Sequence, residues 1–419
     1  MNIRTCTAAT LPTVNAPVLR CSLICALALG ATAAHSQSSP FYVGIAQAVS
    51  HESNLFRLAD GVATPATVKK RSDTVSTTSL VAGIDQPISR QRLRGNVVLR
   101  TSQYASNSSL NSEGYSLDLG LDWQTINRIS GTLGVGSQSN QRRFDPNETN
   151  VGKNIETGNQ VSAVARMGVV TPLTLEAGLN WNEVNYSAAT YQRAEYSQTG
   201  VSLGATYRLG GATTVGATLR SSRTSYNSPG DDRDRTGLDL TVNWVPSGLT
   251  TLYGRLGYSR IDAKLPGISD FNGLTGEIRG GWQATGKIRL NGLLMHDTGQ
   301  NSSFLSLADT RLTSTDYSTT TTRLQLTADY AMSAKVSMVA GVGLTHRALN
   351  NSQFNLIFGS VALTGSDDTT VLNLGARWRP TRGIQLGCDL VHEQRRASSS
   401  LSLPYSNNAF SCSGQLTIQ

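Results

Sequence analysis

The sequence predicts an all-β chain, a transmembrane antiparallel β-barrel of about 18 strands with short periplasmic turns and long extracellular loops. Three observations predict it. Residues 113–124 (EGYSLDLGLDWQ) place Tyr115, Leu117, Leu119, Leu121 and Trp123 on one strand face and Ser116, Asp118, Gly120, Asp122 and Gln124 on the other. The same alternation recurs along nearly the whole chain, in segments near the ~10 residues with which a tilted strand crosses a bilayer. Turn-rich connections of small and polar residues alternate between short and long, the asymmetry of outer-membrane barrels.

Composition fits this class. With 40 Gly, 15% charged residues and a mean hydropathy of −0.21, the chain is too polar for helical spans but rich in half-apolar strand. One continuous apolar stretch stands near the N-terminus, where Arg4 and Arg20 flank the approach to Cys21 through Ala34. It is too short to span as a helix and ends in small residues (ATAAHSQ). Residues 1–36 are therefore expected to be a secretory signal cut near Ala34 or Ser36, leaving a barrel over 37–419. Arg20 precedes Cys21 and Ile24 precedes Cys25, neither the small residue of a lipoprotein signal, so lipidation is not expected.

Losing that segment lowers the formal charge from +8 to +6 and removes three of the five cysteines. Cys388 and Cys412 remain, on the last two expected strands and with the same outward parity. A disulfide needs close Cα approach, so unpaired lipid-facing thiols are the expectation.

From residue 40 onward the short connections are QPIS (86–89), QTINR (124–128), VTPL (170–173), RLGG (208–211), PSG (246–248), ATGK (284–287), MSAK (332–335) and RPTRG (379–383). Long ones span 51–73, 103–112, 140–157, 187–195, 224–235, 262–272, 299–318, 350–368 and 397–407. These eight turns and nine loops separate eighteen strands with both ends periplasmic, and an even number closes by antiparallel pairing. The apolar run FNLIFGSVALT (354–364) sits within one long connection. A hairpin arm, a loop folded into the mouth and misregistered last strands are its three readings.

Aromatic residues collect at bilayer interfaces on the lipid face. All five tryptophans take the outward parity. Trp123, Trp244, Trp282 and Trp378, with Tyr207 and Tyr330, end strands that run toward the periplasm and form a girdle there. Trp181, Tyr258 and Phe410 give a thinner outer girdle.

The opposite parity lines a wet interior. Its arginines are Arg92, Arg94, Arg100, Arg166, Arg208, Arg220, Arg255, Arg279, Arg289, Arg323, Arg347 and Arg377, against the acids Asp118, Asp122, Glu176, Asp239, Glu277, Asp329, Asp389 and Glu393. Twelve cations and eight anions leave an excess of four positive charges. Guanidinium binds carboxylate through two parallel hydrogen bonds, so such a wall favours anionic solutes, including uronic or pyruvylated sugars. The plainer reading pairs these arginines with acids on neighbouring strands.

Other chemistry finds little support. His296, His346 and His392 fall at the outer ends of alternate strands on the lipid-facing parity, where a phospholipase-like rim and simple headgroup-level placement are both readable. No Ser or Asp companion recurs at fixed spacing, so no catalytic residue is assigned. No His, Cys or carboxylate cluster has metal-ligand spacing, and DDRDR (231–235) interleaves its acids with arginines as a solvated loop does. No cofactor is expected. Nucleotide and nucleic-acid motifs are absent, and the pI of 9.4 reports lumen and loop arginines.

The first mature strand and loop, FYVGIAQAVSHESNLFRLADG (41–61), resemble the β-barrel porins encoded in exopolysaccharide biosynthesis operons (EpsL-like outer-membrane proteins), above all in SNLFRL at 53–58. The pattern of Gly-rich strands and the Arg-bearing strand RQRLRGNVVLR (90–100) extend the likeness over the mature length. The residues alone also allow Asn54, Phe56, Arg57 and Asp60 to form a local turn with a buried Phe anchor. The resemblance implies a non-enzymatic outer-membrane channel that exports an anionic or neutral exopolysaccharide. It implies as partners outer-membrane lipid and lipopolysaccharide, the barrel-assembly machinery and a periplasmic polysaccharide-export protein. A general small-solute porin is the alternative, followed by a plugged structural anchor.

Overall fold

Alternating side chains satisfy two environments at once, and the computed structural model closes them into one ring. It describes residues 39–419 except 127, 145–150, 169, 228–231, 265–270, 299–318, 356–358 and 400. The expected signal lies outside the described residues.

The strands are β1 (Phe41–Glu52), β2 (Asp73–Ile88), β3 (Gln91–Tyr104), β4 (Ser112–Gln124), β5 (Ile129–Gln141), β6 (Ile155–Met167), β7 (Leu173–Tyr186), β8 (Tyr196–Arg208) and β9 (Thr213–Tyr226). They continue with β10 (Arg233–Ser247), β11 (Thr250–Ala263), β12 (Phe271–Gln283), β13 (Ile288–Thr298), β14 (Thr319–Ala331), β15 (Val336–Asn355), β16 (Gly359–Trp378), β17 (Ile384–Ala397) and β18 (Tyr405–Ile418). Each pairs antiparallel with its sequence neighbours, and β1 also pairs β18 from Val43↔Ile418 to Glu52↔Ala409, which closes an 18-stranded barrel. Closure leaves no strand edge unpaired in lipid.

Apolar side chains lie outside, as the alternation demands. On β8 and β9, Leu203 (65% exposed) and Leu219 (61%) sit opposite one another on the lipid face. Trp244, Trp282, Trp378, Tyr207 and Tyr330 are exposed there near the short turns; Trp123 and Trp181 share the parity and are half-buried. Above the apolar band the outward residues turn polar, as with Thr78, Ser76 and Thr74 on β2.

Two expectations are corrected. Residues 350–355 and 359–368 are strand rather than loop: β15 and β16 run 20 residues each and pair from Val336↔Trp378 to Asn355↔Gly359. About 10 residues cross the bilayer, so the rest is a hairpin arm projecting outside, and residues 354–355 and 359–364 of the apolar run belong to it. Cys388 and Cys412 are not free thiols. They face one another in the β17–β18 register with Cα atoms 4.1 Å apart and are joined as a disulfide. Only the exact register, which the sequence leaves open, brings them together.

Candidate functional site

The inward wall pairs most of its arginines. Arg92 donates to both carboxylate oxygens of Asp85 (2.7 and 2.6 Å), and Arg94 lies 2.6 Å from Asp122. Arg166 meets Glu176 at 2.7 Å and Arg377 meets Asp389 at 2.9 Å. Arg347 grips Asp367 with two nitrogens, at 2.9 and 2.6 Å. Arg100 donates to Ser116 at 3.4 Å. Strand neighbours place each pair at cross-strand spacing, the geometry in which opposite charges attract.

The sequence reading missed several members of the wall. Parity also turns Arg233, Arg235 and Arg395 inward, and with them Glu52, Asp73, Asp85, Glu156, Asp297 and Asp367. Among the described residues these three cations and six anions reduce the excess from four positive charges to one. Four of these acids, Glu52, Asp73, Glu156 and Asp367, lie in stretches that read as connections.

Charge is concentrated on one arc. From β9 to β13, Arg220 and Arg255 share Asp239, Arg255 and Arg279 share Glu277, and Arg235 lies 3.1 Å from Asp297. These four arginines and three acids line a recess of about 230 Å³ together with Asn180, Ser202, Ser222, Ser259 and Thr275. Gly257 faces Asp239 across the β10–β11 pair, and a Cβ there would collide with its carboxylate. The Arg279 guanidinium stands 5.7 Å from the Tyr253 ring centre. Arg208, Arg289 and Arg323 make no ion pair among the described residues, and Arg323 Nε is buried without a hydrogen-bond partner.

The SNLFRL turn forms a second constellation at the outer mouth. Asn54 builds the turn itself: its Nδ2 donates to Leu58 O (2.8 Å) and its Oδ1 accepts from Leu58 N (3.0 Å). The same side chain donates to Ser406 O (3.0 Å), while Asn54 N–H donates to Asn407 Oδ1 (2.9 Å), which fastens the turn to β18. Phe56 is 2% exposed and packs with Leu55, Leu58, Val68, Leu110, Phe144 and Val151 from three outer loops. Arg57, at φ 54°, lies 3.2 Å from Glu52 and 3.5 Å from Glu393, and Glu393 also holds Arg143 and accepts from Tyr405 Oη at 2.7 Å. The motif is thus a turn with a buried Phe anchor whose arginine also reaches inward across the wall.

Asp73 ties the first two outer loops. Burial works against its charge, but N–H groups of Ser106, Asn107 and Thr74 and the Asn107 side chain outweigh that and hold the carboxyl below its ordinary pKa. Asn107 in turn accepts from Lys69 N–H at 3.0 Å.

The histidines face lipid and each bonds a neighbour on the next strand. His51 shares a hydrogen bond with Thr74, His296 with Thr322, His346 with Asp368 and His392 with Asn408, at 2.7 to 3.0 Å. His346 thus gains a carboxylate, but no serine hydroxyl hydrogen-bonds an imidazole among the described residues. No group of three metal-ligating side chains occurs among them either.

No family model matches the chain, and no curated protein matches it. Solved structures match by fold. OccK1 (OpdK) of Pseudomonas aeruginosa superposes with a TM-score of 0.52 at 13% identity, covering 90% of this chain and 99% of that one. The OpdK complex with vanillate gives 0.50 at 14% identity with the same coverage. The chain shares the closed-barrel fold of these outer-membrane proteins. At such identities the likeness is one of fold, and it is a fold that outer-membrane channels use. The similarity of residues 41–61 to exopolysaccharide-operon porins rests on the sequence alone.

Proposed function

We propose that the chain is a non-enzymatic outer-membrane channel through which an acidic exopolysaccharide leaves the cell. The recess on β9 to β13 carries this reading. Its guanidinium groups suit carboxylates through paired hydrogen bonds, its Ser, Thr and Asn side chains suit sugar hydroxyls, and Tyr253 offers a ring face. A polymer of uronic or pyruvylated sugars presents all three features in every repeat. Arg208, Arg289 and Arg323, on other strands and without an ion pair among the described residues, extend the set of cationic contacts beyond the recess. Eighteen strands lie in the range that leaves an aqueous interior. By the resemblance stated above, a periplasmic polysaccharide-export protein would deliver the polymer, and the barrel-assembly machinery would insert the chain among outer-membrane lipid and lipopolysaccharide.

One observation favours a second reading, a small-solute porin. A recess of about 230 Å³ is the size of a single small carboxylate. Deleting the gene separates the two: export predicts lost surface polymer with synthesis intact, whereas normal yield of polymer in the medium overturns it. Replacing Arg220, Arg255 and Arg279 by Gln is expected to impair an acidic polymer selectively.

A further inference from the structure

The disulfide lies where no soluble oxidant reaches. Cys388 shares the outward face of β17 with Leu386 (40% exposed) and Leu390 (54%), and Cys412 follows Phe410 (48%) on the outward face of β18. On its other side Cys412 meets Val49 of β1, also outward and exposed. Both sulfurs therefore sit within the apolar band, flanked by side chains that meet hydrocarbon. Thiol–disulfide exchange proceeds through thiolate, and hydrocarbon suppresses thiolate because it desolvates the charge. Water-soluble oxidants are excluded from the same layer.

We propose that Cys388 and Cys412 are oxidised in the periplasm before the barrel inserts, by a thiol oxidase that carries a reactive disulfide. One cysteine thiolate attacks the oxidase disulfide and forms a mixed disulfide, releasing one oxidase thiolate. The second cysteine attacks the mixed bond on the sulfur of the first, which expels the other oxidase sulfur. Two electrons pass to the oxidase, and its two released thiolates take up the two protons given up by the cysteines, so that it leaves as a dithiol.

The topology makes that order workable. Strands β17 and β18 are sequence neighbours separated only by residues 398–404, so their hairpin forms locally, whereas the β1–β18 seam needs the whole ring. The bond fixes the register Cys388↔Cys412, and with it Leu390↔Phe410 and Ile384↔Leu416. A one-residue slip would turn this apolar face inward. The oxidised hairpin thus enters assembly as a pre-registered closing element.

The test follows the thiols of the full chain in living cells. Newly made chain is pulse-labelled, quenched in acid and alkylated with a maleimide polymer; folded barrel is separated from unfolded chain by its heat-modifiable gel mobility, with C388S/C412S as background. The expected result is loss of both thiols while the chain is still unfolded. In a strain lacking periplasmic thiol oxidase, any barrel that folds keeps both thiols. In intact membranes those thiols resist oxidised glutathione over a time in which the same chain, denatured in detergent, is fully oxidised. Thiols that persist in the unfolded pool and vanish only after folding overturn the proposal. So does a membrane-embedded dithiol that oxidises as fast as the denatured chain.

Discussion

Arg57 reaches over β18 to place its Nε 3.5 Å from Oε2 of Glu393 on β17, and both side chains are less than one-tenth exposed. A buried cation is tolerated only with its anion, so the SNLFRL turn is held inward by charge as well as by the Phe56 anchor. Replacing Phe56 by Ala removes the centre of the cluster and is expected to cost about 3–5 kcal/mol of local stability. Replacing Arg57 by Ala leaves Glu393 with one cation fewer and is expected to loosen the same turn. Limited proteolysis checks both: cleavage within residues 53–72 should rise strongly while the strands stay protected. Unchanged cleavage in both variants would remove the inward turn from the account.

The Arg347 and Asp367 pair supports the base of the projecting hairpin, with side chains 9% and 0% exposed. Removing one partner strands a buried charge, so Arg347→Met or Asp367→Leu alone is expected to destabilise by about 3–5 kcal/mol. The double variant exchanges the pair for apolar packing and should recover most of that loss. Unfolding of the refolded barrel in urea measures all three; additive losses in the double variant would show that the two do not act as a pair.

Asp73 sets a pH response at the outer mouth. Its pKa is lowered in the folded chain, so its contribution is fully present above the unfolded value of about 3.9 and is lost as pH falls through the lower folded value. Amide exchange at Ser106 and Asn107, whose N–H groups donate to this carboxylate at 2.9 and 2.8 Å, should therefore stay slow down to the unfolded pKa and quicken below it. Asp73→Asn should give fast exchange at these amides at neutral pH and abolish the dependence.

Period-two alternation and turn chemistry are local properties, and they were enough to place all eighteen strands and the lipid face. Features that depend on contacts far apart in sequence were not readable in this way. Phe56 is readable as a buried anchor, but its partners Leu110 and Phe144 come from other loops, and no local pattern names them. The disulfide needed the exact β17–β18 register. The hairpin arm failed to read as strand because its upper half lies outside lipid, where apolar alternation has no reason to persist. Asp85 and Asp297 escaped the interior set because they lie near strand ends, and Asp367 because residues 350–368 read as a connection; together they cancel much of the positive excess that the central strand segments suggest. Glycines such as Gly257, which make room for charged neighbours, likewise become meaningful only once the cross-strand pairs are known.

The most direct test of the channel reading is the ion selectivity of the purified, refolded chain in planar bilayers, measured with and without an acidic polysaccharide such as alginate. The expected conductance prefers anions and is blocked by the polymer. In R208Q/R289Q/R323Q, which removes three wall arginines that make no ion pair among the described residues, the reversal potential should shift toward cations. A conductance indifferent to both the polymer and these three arginines, or no conductance at all, would contradict the channel reading.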